Sequence, residues 1–308
     1  ARALFFGAKP AEARAAIADA VRLVAARGTE REKSHVATLE HAVSGRSADA
    51  LRSSLAHLES WPRDALIFSL PLGAFGLFAF SGRADHDAAR VELCERHARH
   101  FDTDWWFDTN LGWAYTEAGD PARGRPLTER GFALRRHNAN AVHMLAHAMF
   151  EEGDTSGTDT LVADWLPLYG RSGILYSHIS WHQALAALDE GDTARALSIY
   201  TDRIAPDVTE AVPLNAMSDG AAFLWRLAAY GHDVPPALWS AVEAHARKSF
   251  PNAGFPFVDV HMAMLEAATG DTSALESRIV AIDALVASGK LAAGPVSPAI
   301  CRAFRAFA

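Results

Sequence analysis

Six histidines recur at related distances from a regular series of glycines. His35 and His143 lie ten residues before theirs, His182 and His261 nine, His147 six and His178 thirteen. Offsets that differ by 3, 4 and 7 fall on one stripe of an α-helix. His143/His147 and His178/His182 each form His-x-x-x-His, which puts both rings on one face within reach of one ion. Neutral imidazole is the commonest protein ligand for zinc and suits iron, nickel or copper. Asp219, twelve residues before its glycine, can add a carboxylate, and Glu151 prolongs the His143/His147 stripe. Asp259, two residues before His261, lies on another face and is a weaker candidate. Trp181 adjoins His182 and can wall a pocket. The bland alternative is a seam of core histidines bonded to backbone and carboxylates.

The glycines say what must position these side chains. Gly45, Gly82, Gly119, Gly153, Gly191, Gly231 and Gly270 are spaced by 37, 37, 34, 38, 40 and 39 residues. Gly119, Gly153, Gly191 and Gly270 are each followed by aspartate. Helical patterns flank each of them, and a helix–Gly-turn–helix period of this length is the mark of a tetratricopeptide-type array. One unit cannot bury its own apolar face, so the units must stack. The expected fold is all-α: a single domain over residues 1–308, a tetratricopeptide-type helical-repeat superhelix (α-solenoid) of about seven helix-turn-helix units. In such an array the first helices line the concave side, where the histidines should converge. Gly112, Gly124 and Gly131 are expected where two helices cross closely. Residues 66–80 read as buried helix, residues 255–260 as a weak strand, and Trp105, Trp106, Trp113 and Cys94 as core. The chain starts inside a helical pattern, so upstream residues are expected to be missing.

Composition narrows the function. Half of the 308 residues are hydrophobic, 21% are charged, and the formal charge is −8 without a basic block. Nucleic acid and anionic membrane are therefore poor partners. The longest apolar run is too short to span a bilayer and is broken by Pro71. Cys94 and Cys301 form no disulfide pattern, and a reducing compartment is the default. No GxSxG, HExxH, GxxxxGK[ST] or GxGxxG occurs, so serine-hydrolase elbows, zincins and phosphate loops have no support.

Several stretches carry a resemblance. They are NAVHMLAHAMFEEGD (140–154) with Gly157 and Trp165, HISWHQALAALDEGDTARALSIYTDRIAP (178–206), SDGAAFLWRL (218–227), FVDVHMAMLEAATGD (257–271) and the region 33–68. Together they resemble the tetratricopeptide repeat protein 38 family, also called StaR-like, over most of the chain. The WH-x-AL-x-x-L-x-x-GD segment is the most specific part. The resemblance implies a helical-repeat fold, a cytoplasmic setting and functional positions at His35, His143, His147, His178, Trp181, His182, Asp219 and His261. It implies no settled reaction. The chain departs from the animal-type pattern at Phe150, where that pattern has glutamate, and at Thr201, where a Tyr-Asp pair is usual.

The reading that follows is a metal-dependent enzyme, a hydrolase of an amide or ester of a small molecule. His143, His147, His178 and His182 would bind a divalent ion, zinc or iron. Asp219 and His261 are the catalytic candidates, and Trp181 and His35 the substrate-binding ones. Two alternatives stand beside it: a non-haem iron redox enzyme, and a tetratricopeptide scaffold that binds a peptide or protein partner without chemistry.

Overall fold

The computed structural model describes residues 1, 2, 4, 9–291 and 293–307. Among the described residues it is all-helical, with sixteen α-helices and no strand. None of these helices is long and apolar enough to cross a membrane. The chain divides into two compact units, Ala1–Arg135 and Arg136–Ala308.

The first unit holds α1 (Pro10–Arg27), α2 (Glu30–Val43), α3 (Ser47–Ser60), α4 (Ala65–Leu72), α5 (His86–His97), α6 (Trp105–Glu117) and α7 (Pro121–Leu134). Its core centres on Leu58, Ile67, Phe68, Leu93, Cys94 and Phe107. Trp113 is fully buried, and Trp106 packs on Phe68 and Phe101. Burial pushes the Cys94 thiol up to about 12, so it is inert. The α6–α7 crossing is as close as its glycines allow. A Cβ on Gly112 would overlap Thr128 Oγ1 and stand 2.6 Å from the Gly124 carbonyl oxygen.

The second unit holds α8 (Ala139–Glu151), α9 (Thr155–Trp165), α10 (Tyr176–Asp189), α11 (Thr193–Ile199), α12 (Pro213–Ala229), α13 (Pro236–Ser249), α14 (Pro256–Thr269), α15 (Thr272–Ala287) and α16 (Val296–Phe307). Each helix from α8 to α10 packs on the next, and α10 on α11. In addition α8 touches α10, α10 touches α12, and α12 touches α14. The alternate helices thus form a row of their own. Apolar residues such as Leu185, Tyr200, Phe223, Leu224 and Leu265 fill the space between the row and its partners.

The repeat glycines are what reverse the chain. All seven have positive φ, between 73° and 86°. After α6, the Gly119 N–H bonds to Thr116 O and the Asp120 N–H to Tyr115 O, and the same pair of bonds recurs at Gly153-Asp154, Gly191-Asp192 and Gly270-Asp271. This is the left-handed C-terminal cap. Each of the four aspartates then caps the next helix, accepting from the backbone N–H of Arg123, Gly157, Arg195 or Ala274. One Gly-Asp pair ends one helix and starts another. Gly82 is the exception, because it follows the turn at Phe78–Ser81 rather than a helix end. A Cβ on Gly119 would meet nothing within 4 Å, so Gly119→Ala isolates the backbone cost. It should lower stability by about 1–2 kcal/mol in denaturant unfolding; no loss would mean that the left-handed turn is not required.

Two local expectations are corrected. Residues 255–260 are not a strand: Phe255 is the N-cap of α14, and Pro256 at the first position presets its φ. Residues 66–80 are not one helix: α4 ends at Leu72, just past Pro71, and Gly73 to Phe80 run on as turns.

Candidate metal centre

The row α8, α10, α12, α14 explains why residues far apart in sequence meet. On α8 the apolar side, with Ala141, Val142, Leu145, Ala148 and Met149, is buried. His143 and His147 share another face, and α10 brings His178 and His182 to it. The Nε2 atoms of His143 and His147 are 3.0 Å apart, as are those of His143 and His178. The ring centroids of His182 lie 4.6 Å from His147, 5.0 Å from His178 and 5.3 Å from His143. One ligand nitrogen from each of the four lies within 4.8 Å of all the others. His182 is 4% exposed, and its Nε2 has no hydrogen-bond partner among the described residues.

The four nitrogens could hold one metal ion. An imidazole nitrogen offers one N–H or one lone pair, not both. His143 Nε2 nevertheless faces two other ring nitrogens at the same short distance. Ligands at about 2.0–2.2 Å from one ion stand about 2.9–3.5 Å apart, which covers both contacts.

Asp219 on α12 sits behind the cluster. It is 3% exposed, and its Oδ1 meets His178 Nδ1 at 2.9 Å. A carboxylate accepts, so His178 donates through Nδ1 and keeps Nε2 for an ion. Such a carboxylate fixes the ring and raises ligand basicity. Its Oδ2 has no partner among the described residues. Asp219 therefore contacts His178 through Nδ1 and is not a member of the four-histidine group.

His261 is outside the group of four. Its Nδ1 donates to the Phe257 carbonyl at 2.7 Å, which leaves the lone pair on Nε2. Burial lowers its pKa, partly opposed by the Phe257 contact and by Asp219. The lowered value favours the neutral ring. Trp181 stacks on His178, with centroids 5.4 Å apart and planes 10° from parallel, and meets His182 edge-on. The Arg226 guanidinium lies 5.3 Å from the Trp181 ring centre and makes no ion pair among the described residues.

His35 belongs to the first unit, where its Nδ1 meets Asp64 Oδ2 at 2.9 Å beside His57. Burial raises the Asp64 carboxyl, but contacts with His35, Arg31 and the Ile67 N–H outweigh it and hold it at about 2. Asp259, the weaker ligand candidate, is bound instead by Arg278 and the Gly254 N–H. Sequence reasoning missed His57, Asp64 and Arg226. His57 is on the second helix of its pair, after Gly45, and so outside the stripe of histidines that precede the glycines. Asp64 follows Trp61-Pro62 and lies outside the histidine stripes, and Arg226 lies seven residues after Asp219, two helical turns along the same face.

The electrostatics set a pH dependence. Burial, reinforced by the neighbouring imidazoles, pushes His143 and His182 well below the ordinary histidine value. The unfolded chain then takes up protons that the folded chain refuses, and stability is lost as pH falls below about 6.5. His178 behaves oppositely: burial lowers it, but Asp219 outweighs burial and raises it. Its contribution is present below the unfolded value and fades as pH rises through the folded one. Two depressed rings against one raised ring leave an acid limb. The melting temperature of metal-free protein should therefore drop between pH 7 and 5. The drop should be shallower in the His143→Ala/His182→Ala variant; equal slopes would remove the cluster as its cause.

The chain matches no protein-family model.

Proposed function

We propose that the chain is a tetratricopeptide-type helical-repeat protein of the cytoplasm whose four-histidine centre holds a divalent ion, zinc or iron. We further propose that this centre serves hydrolysis of an amide or ester in a small molecule. The observation that carries the reading is the convergence of four imidazole nitrogens within 4.8 Å, with Asp219 behind one of them. The periodic Gly-Asp turns and the row of alternate helices support the repeat architecture.

His143, His147, His178 and His182 would hold the ion, which when bound polarises a carbonyl and lowers the pKa of its water. Four imidazoles fill a tetrahedral zinc, so an open position requires one ring to stay off it, or an ion such as iron that accepts more ligands. Asp219 keeps His178 in the tautomer that presents Nε2. His261, neutral and with its Nε2 lone pair available, is the base. Trp181 walls the site, and Arg226, 5.3 Å from the Trp181 ring centre, favours a substrate with an anionic end.

The test compares ligands on metal-loaded protein. A small hydroxamate should raise the melting temperature by mass action, about 2.7 kcal/mol at a hundred times its Kd. It should have no effect on the His143→Ala/His182→Ala variant. The loaded wild type should also cleave some member of a panel of chromogenic esters and anilides that bear carboxylates. If hydroxamates do nothing while a peptide or protein partner stabilises the loaded wild type, the scaffold reading replaces this one.

A further inference from the structure

The first unit brings two histidine nitrogens onto a single buried carboxylate oxygen. Asp64, the N-cap of α4, is 4% exposed; His57 on α3 is 1% exposed. Asp64 Oδ2 lies 2.9 Å from His35 Nδ1 on α2 and 3.3 Å from His57 Nε2. The same oxygen also faces Arg31 Nη2 at 3.0 Å and Arg31 Nε at 3.3 Å. A carboxylate oxygen has two lone pairs, and this one is asked to serve four N–H groups. Asp64 Oδ1 is turned away, toward the Ile67 N–H.

We propose that His35, His57 and Asp64 form a second divalent-metal site, independent of the four-histidine centre, and that Arg31 is the counter-cation an incoming ion displaces. Two histidines and one carboxylate suit a borderline transition ion such as iron(II), cobalt(II) or zinc(II). Neighbouring ligands on such an ion stand about 2.9–3.5 Å apart, and the distances of 2.9 and 3.3 Å to Asp64 Oδ2 agree. The three ligand atoms lie within 4.8 Å of one another. Ser34 Oγ sits 2.9 Å from His57 Nδ1 and orients that ring, as outer partners of metal-bound histidines do. Three protein ligands leave positions for water, and the His35 side chain, 24% exposed, opens the site to solvent. Arg31, with 57% of its side chain exposed, can swing away without uncovering the core. The row Ser34–His57–Asp64 could instead be taken for a hydrolase relay. Ser34 lies inside α2, however, where the surrounding N–H groups belong to the helix ladder and cannot stabilise an oxyanion.

The experiment uses the full chain carrying His143→Ala and His182→Ala, so that the other centre does not compete. Cobalt(II) is titrated and followed by its visible absorption and by calorimetry. The expected result is one equivalent of bound cobalt, with affinity rising about tenfold on Arg31→Ala because a competing cation has gone. Replacing the partly exposed ligand, His35→Gln, should remove the bound cobalt while circular dichroism stays unchanged. Absence of bound cobalt even with Arg31→Ala would overturn the proposal. So would cobalt binding that is indifferent to His35→Gln.

Discussion

If the four-histidine group binds a metal ion, replacing both His143 and His182 with alanine is expected to lower its affinity by more than about 100-fold. Changing a residue that merely orients a ligand costs about 10–100-fold in metal affinity. Two lost ligands must therefore exceed that, and Asp219→Asn should fall within it, since Asp219 acts through His178 Nδ1. Helix content should survive. A helical array spreads its stability over many neighbouring contacts, and the row α8–α10–α12 is held by apolar residues that the substitutions leave in place. The check is elemental analysis after dialysis, titration against a competing chelator, and circular dichroism of each variant. Unfolding of the double variant, with wild type carrying no metal under any loading condition, would favour a seam of packing histidines.

Much of this centre was legible because its positioning is helical and local. A spacing of four places His143 beside His147, and the same arithmetic applies to His178 and His182. Relating the two pairs needed only the glycine spacing, because offsets of 10 and 6 before Gly153 and of 13 and 9 before Gly191 fall on one helical stripe. The Gly-Asp turns were legible for the same reason: the glycine accepts a left-handed backbone, and the aspartate supplies an acceptor three residues before an N–H. What escaped were contacts set by tertiary packing. Nothing in the spacing of Asp64 says that His35, His57 and Arg31 will share one of its oxygens. Nor does spacing say which side of His178 Asp219 will take, and so whether it is a ligand or a support. Residues 255–260 misled because alternation over six positions is also the first turn and a half of an amphipathic helix. Pro256 was the better clue, since it is well placed at a helix start.

The largest effect on stability is expected from Arg278→Ala, a loss of about 3–5 kcal/mol. Arg278 on α15 is 8% exposed and faces two carboxylates on α14, Asp259 at 0% and Glu266 at 1%. Its Nη1 donates to Asp259 Oδ1 at 2.9 Å and its Nη2 to Glu266 Oε1 at 2.9 Å, while Nε reaches Glu266 Oε2 at 3.1 Å. Burial alone would lower the guanidinium pKa, but the two carboxylates outweigh it and raise it. Alanine would leave two anions without their principal cation in a place water does not reach. Arg247 cannot take over, because it is 3.8 Å from Glu266 and already pairs with Glu243 and Asp271. The penalty comes from stranded charge rather than from the worth of the pairs, so removing the charges together should recover most of it. Arg278→Met with Asp259→Asn and Glu266→Gln is therefore expected to lie much closer to wild type than Arg278→Ala does. Denaturant unfolding of the three proteins checks this. If Arg278→Ala costs less than about 1 kcal/mol, the carboxylates are reached by solvent or carry protons, and the α14–α15 pair is held by its apolar contacts alone.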